Sequence, residues 1–205
     1  MDNKKKRIFI LSPARSDGKR AQMLVSEQAR FPLARELRSG TANLGEVFSF
    51  MSALYFRGKL TYAKAFANPP DGVPGVLVIT PGGGLRLHQE LITIDKLKAF
   101  AGVDVDERNS SYRDPLEEDA RRIAQLLPSD SDVILLGSIA TGKYIEVLTG
   151  AFGNALKFPA DFVGRGDMSR GGLLLRSAES DTELHYIEVS GAVRRGPRPP
   201  KLPRK

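Results

Sequence analysis

The chain has 205 residues, 41% of them hydrophobic, no cysteine, two histidines and a formal charge of +7. That length and apolar content suit a single domain with its own core. Disulfides, thiolate metal sites and a cysteine nucleophile are excluded, and His88 and His185 alone argue against a His-rich metal centre or a Ser-His-Asp triad. The charge lies at the ends: residues 1–7 sum to +3 and residues 191–205 to +6, which leaves the body at −2. The high pI therefore describes two termini and not a basic folded face. No apolar run approaches the roughly 20 residues needed to cross a membrane, and the apolar part of "MDNKKKRIFIL" is too short for a signal peptide. A cytoplasmic location is expected.

In chain order, "RIFILSPA" (7–14) is an apolar run ended by Ser-Pro and predicts a buried first strand. Residues 18–37 suit a helix broken or kinked at Pro32. "LGEVFSFMSALYF" (44–56) has Glu46 as its single charge and apolar residues on most sides, so a largely buried helix is expected. "GVLVITPGGG" (75–84) predicts a second buried strand ending in glycines. "DPLEEDARRIAQLLP" (114–128) reads as a helix with Asp114 as cap, Pro115 in its first turn and Pro128 as its stop. "DVILLG" (132–137) predicts a strand followed at once by a helix over 142–152, and "GGLLLRSA" (171–178) with "ELHYIEVS" (183–190) a terminal pair of strands. His185, in that last alternating stretch, reads as structural.

Strands alternating with helices predict an α/β fold: a single compact domain over residues 1–190, a mostly buried sheet sandwiched by helices. Residues 191–205 hold four prolines and six cations around one leucine. They predict a disordered basic tail, in which Arg194, Arg195, Arg198, Lys201, Arg204 and Lys205 would attract nucleic-acid phosphate without reading sequence.

Four stretches carry candidate chemistry. "LLGSIATGKYIEVL" (135–148) has the Gly137, four residues, Gly142-Lys143 spacing of a phosphate loop, with Ser138 in its turn. A strand, a glycine turn and a helix start together make an anion site. The next position, which should carry a hydroxyl for magnesium, is Tyr144. An anion contact at Lys143 and a plain glycine turn therefore both stay open, and ATP hydrolysis is disfavoured. "TPGGGL" (80–85) follows a strand and reads as a mobile loop. "GRGDMSRGG" (164–172) sets Arg165, Asp167, Ser169 and Arg170 among glycines. It reads as a site loop whose arginines fork onto phosphate or carboxylate. "YFRGKLTYAKAF" (55–66) interleaves Tyr55, Arg57, Lys59, Tyr62 and Lys64, a pattern that suits a stacked base beside a paired phosphate and equally a helix end with its cations in water.

Three patches, "ILSPA" (10–14), "MSALY" (51–55) and "RGDMSR" (165–170), resemble in that order the YaaA peroxide-stress family of bacteria. That family opens on a similar Ser-Pro-Ala turn and carries Ser-Gly-Leu-Tyr and Arg-Gly-x-Met-Ser-Arg stretches. Here Ala53 and Arg15 stand where the family pattern has Gly and Lys. The resemblance implies a compact α/β fold, a cytoplasmic protein, and DNA binding linked to oxidative damage or iron. Ser12, Pro13, Tyr55, Arg165, Ser169 and Arg170 are the residues it carries over. The expected function is nucleic-acid or nucleotide binding in an anion cleft built from Ser12, Arg15, Arg57, Lys59, Ser138, Lys143, Arg165 and Arg170. One alternative is a nucleobase or nucleotide glycosidase or lyase using Asp167, Ser169 and Tyr55. Another is an adaptor acting through its tail. No cofactor is read from the residues, and no strong metal signature is present.

Overall fold

The computed structural model describes residues 5–200 and residue 202. Six strands form one mixed sheet: β1 (Arg7–Leu11), β2 (Val76–Thr80), β3 (Gly84–Leu87), β4 (Asp132–Leu136), β5 (Leu156–Pro159) and β6 (Tyr186–Glu188). The spatial order is β3-β2-β1-β4-β5-β6. β1 pairs in parallel with β2 and β4, and β4 with β5, while β3 and β6 close the two edges antiparallel. Phe9 aligns with Val76 on one side and Ile134 on the other. Every residue of β1, β2 and β4 is buried, as expected where both faces of a parallel sheet are covered. Hence these strands read as continuous apolar runs in the sequence.

The helices are α1 (Lys19–Val25), α2 (Pro32–Ser39), α3 (Leu44–Phe66), α4 (Ile94–Ala101), α5 (Ser110–Leu126), α6 (Gly142–Phe152) and α7 (Asp167–Glu179). From β1 the chain crosses to β2 in one direction and later to β4 in the other. Right-handed crossovers running opposite ways place their helices on opposite faces of a sheet. Accordingly α3 packs along α7 and touches α1, and α5 packs on α6. One apolar cluster runs through the sheet and both layers.

The stretch does break, but over residues 26–31 and not at Pro32: α1 ends at Val25, and Pro32 opens α2, where its missing N–H costs nothing. The helix expected over 44–56 continues to Phe66 and holds one residue off the helical backbone, Ala53, at φ 46° and ψ −120°. The helix expected from Asp114 begins at Ser110, and Asn109 is its cap, its Oδ1 accepting from Ser111 N at 3.2 Å. Pro115 thus lies inside the helix. The acidic run that suggested a first turn is in its third.

Two expectations are corrected. The run "GGLLLRSA" is not a strand but the body of α7. Of its three leucines only Leu174 is buried, and Gly171 presses on the α3 backbone; the spacing is that of a helix face. β6 pairs instead with β5, which has no clear sequence signal. The glycines after β2 form a tight hairpin into β3, with Gly82 at φ 73° and Gly84 at φ 69°. They form a defined hairpin turn where a mobile loop was expected. Asp119 of α5 fastens that hairpin by accepting Leu85 N at 2.8 Å.

Residues 189–200 follow β6 without helix or strand, apart from a turn at Ser190 and Gly191. The Pro197 carbonyl rests against Gly164, and Arg165 Nη1 donates to Pro200 O at 3.4 Å. Lys201, Arg204 and Lys205 lie outside the described residues. Among the described residues no helix is long and apolar enough to cross a membrane.

Candidate functional site

β1 is the strand from which the chain departs in both directions, so the crevice between the carboxyl ends of β1 and β4 is the switch point of the sheet. Open α/β sheets bind ligands there, because the loops diverge and leave a gap. A cleft of about 380 Å³ occupies this place. One wall is the loop after β1, Pro13 to Asp17; Pro81 follows β2; Lys143 and Tyr144 open α6 after β4. The far wall is apolar, with Phe100, Ala101, Val103 and Val105, and Asp104 stands among them. The volume lies within the range of roughly 300–1,000 Å³ usual for small-ligand sites.

The charges of this cleft are mixed. Arg15 grips Asp17 through Nε and Nη2, at 2.7 and 3.0 Å, and this holds the Asp17 carboxyl below its ordinary range. Both side chains are exposed, so the pair is a solvent-screened one of modest strength. Lys143 follows Gly142 at the start of α6. The bare α-carbon of Gly142 faces a carboxylate of the protein itself: a Cβ added there would stand 3.0 Å from Glu107 Oε1. The positive end of the α6 dipole therefore already meets an anion. Ser138 accepts from Ala140 N at 3.3 Å and stiffens its own turn. Tyr112 donates to Lys143 O at 3.0 Å, tying α5 to the same helix start.

Beside the cleft lies a second, dry constellation. Ser12 follows β1 and is 4% exposed. Lys59 of α3 is 1% exposed and donates to Ser12 O at 2.6 Å, with Ser12 Oγ 2.9 Å from the same Nζ. The amine also sits over the Tyr55 and Phe56 rings, 4.5 and 4.9 Å from their centroids. No carboxylate pairs with it among the described residues. Burial lowers its pKa from 10.5 to about 7, with Asp167 opposing and Arg170 assisting. The Tyr55 hydroxyl is buried near Arg170. Burial pushes its pKa up, although Arg170 pulls against that. Arg170 is itself buried and gives Nε and Nη2 to Phe162 O at 3.2 and 3.0 Å, while Asp167 Oδ1 stands 3.7 Å from its Nη1. Tyr144 joins the two layers: its ring lines the cleft, while burial and the Asp167 charge raise its pKa to about 12.

The structure thus gathers Ser12, Tyr55, Lys59, Asp167 and Arg170 from three distant segments. It keeps other expected site residues apart. Arg57 is exposed on a groove between α3 and α7, with Thr61 and Leu175. Arg165 bonds Ser169 Oγ at 3.3 Å and lines a further groove with Arg198. Arg194 stands 3.7 Å from Glu146 Oε1, and Arg195 is exposed. No single anion cleft holds all the basic residues expected of one. Lys59 in particular is not a solvent-facing phosphate contact. It was expected at a helix end, whereas α3 runs on another two turns and carries it inward. Asp167, exposed through most of its side chain, occupies a helix start and not a loop. Sequence reasoning missed Phe100, Val103, Asp104 and Glu107, which stand on the segment between β3 and β4 and show no motif.

Comparison of the chain with protein-family models, curated proteins and solved structures finds no match. The fold and the site define an α/β protein with a switch-point cleft; the particular function must be argued from the residues.

Proposed function

We propose that the protein binds a nucleotide, with the base against Phe100, Val103 and Val105 and the phosphate toward Lys143 and Arg15. The observation that carries this reading is the cleft at the reversal point of the strand order, with cations on one wall and apolar side chains on the other. Asp17 and Asp104 offer acceptors to the amino or hydroxyl groups that a nucleotide has and inorganic phosphate lacks. The same mixture of charge disfavours a bare polyanion in this cleft, so nucleic acid would be held by the basic tail. A cytoplasmic location belongs to the same proposal. A link to oxidative or DNA-damage stress rests on the resemblance to the peroxide-stress family alone.

Titration calorimetry of the full chain with a purine mononucleotide, inorganic phosphate and single-stranded DNA tests this. Mononucleotide binding that weakens at least tenfold in Lys143→Ala, with phosphate alone much weaker, is the expected result. Binding of DNA alone, with a slope of log affinity on log salt near −4 from roughly 0.7 per neutralised phosphate, would assign the function to the tail and refute the cleft.

A further inference from the structure

We propose that Ser12 and Lys59 form a nucleophile–base pair beside the cleft, one residue from its Pro13 wall, acting on the acyl carbon of a carboxylic ester or acyl phosphate. The proposal extends the nucleotide reading, since it takes the cleft to hold the rest of the substrate.

The geometry is that of an activated serine. A nucleophile needs a base within hydrogen-bond reach, and that base oriented by a further contact. Ser12 Oγ is 2.9 Å from Lys59 Nζ, and the amine is oriented by its 2.6 Å bond to Ser12 O. A neutral amine has two N–H groups and one lone pair. With one N–H on the carbonyl, the lone pair is free to take the Ser12 hydroxyl proton. Burial favours the neutral form: the amine is 1% exposed and no described carboxylate pairs with it, and this desolvation outweighs the attraction of the Tyr55 and Phe56 ring faces for a cation. Desolvated lysines of this kind are the usual amine bases of proteins.

The position is equally specific. Ser12 immediately precedes Pro13, which lines the cleft. Gly137, at the end of the adjacent strand, leaves room for the serine: a Cβ there would stand 2.9 Å from Ser12 Cβ and 3.3 Å from Ser12 Oγ.

In the first step the Ser12 Oγ–C bond forms, the hydroxyl proton passes to Lys59 Nζ, and the acyl carbon–oxygen bond of the leaving group breaks with its electron pair on oxygen. Lys59 returns the proton to a leaving alkoxide; a leaving phosphate departs as the anion, and Lys59 then releases the proton to solvent and is neutral again. Water then adds to the acyl-serine, again through Lys59, and releases the carboxylic acid and free Ser12. The sum is hydrolysis.

The test uses the full chain and a serine-directed fluorophosphonate, with the adduct located by peptide mass spectrometry. One adduct on Ser12 is expected, its rate rising with pH through about 7 as Lys59 loses its proton. Lys59→Met and Lys59→Arg should each slow labelling about a hundredfold, the lower part of the range for general-base catalysis. Absence of label on wild-type Ser12 at pH 9, or a Lys59→Met rate within twofold of wild type, overturns the pair. If both variants fail to fold, a pH-independent wild-type labelling rate does so instead. A saturating mononucleotide should protect Ser12. Labelling without protection keeps the dyad and removes the nucleotide from the cleft, whereas nucleotide binding without labelling does the reverse.

Discussion

Ala53 is an alanine in a backbone state that favours glycine. At φ 46° and ψ −120° its Cβ crowds the neighbouring carbonyl, and such residues cost on the order of 1–3 kcal/mol. The distortion has a visible purpose. It interrupts α3 one residue before Leu54 and Tyr55, whose backbone lies against Gly171 of α7, and so sets the depth at which Tyr55 and Lys59 enter the core. Ala53→Gly removes the crowding and keeps the bend. Glycine gives back part of the gain through the unfolded chain, about 0.4–1 kcal/mol. The expected net change is a stabilisation of about 0.5–2 kcal/mol. At about 2–4 °C per kcal/mol for a chain of this size, calorimetry should find a melting point roughly 1–8 °C higher. The control is Ala65→Gly in the regular, exposed part of the same helix, which should lose about 1 kcal/mol. A fall in melting point for Ala53→Gly comparable to that control would refute the strain argument.

Gly171→Ala places a Cβ 2.7 Å from Leu54 O, so the two helices must separate. A loss of about 1–3 kcal/mol in urea unfolding is expected, and an unchanged midpoint would show that the contact yields freely. Lys59 also predicts a pH dependence. Its folded pKa is about 7 against 10.5, so between these values the unfolded chain holds a proton that the folded one lacks. Stability should therefore rise with pH across that window, by at most about 1.4 kcal/mol per unit, and be flat below it as far as this group is concerned. Urea midpoints at pH 7 and 9 for wild type and Lys59→Met check this; equal slopes in both would count against the lysine as the source. Glu107→Gln removes the carboxylate standing at Gly142 and should tighten mononucleotide binding several-fold by calorimetry. Weaker binding would mean that Glu107 holds the ligand.

The sequence determined the class of this fold because burial is written locally. β1, β2 and β4 are runs of apolar residues with every position covered, and Pro32 and Pro128 mark a start and a stop that any backbone must respect. The same local logic failed at "GGLLLRSA", where three leucines and two glycines suit a strand or a tightly packed helix, and only the groove of α3 selects the helix. It failed at β5, four residues whose strand state depends on neighbours at β4 and β6. The glycine turn at 137–143 was legible as a strand–turn–helix corner, but the carboxylate facing it comes from Glu107, some thirty residues earlier. Lys59 shows the division most plainly. Its charge and its aromatic neighbours Tyr55 and Phe56 are evident from the chain, yet its state is not. A lysine is a cation in water and an amine in a dry pocket, and the pocket is assembled from β1, α3 and α7, which only the folded chain brings within reach.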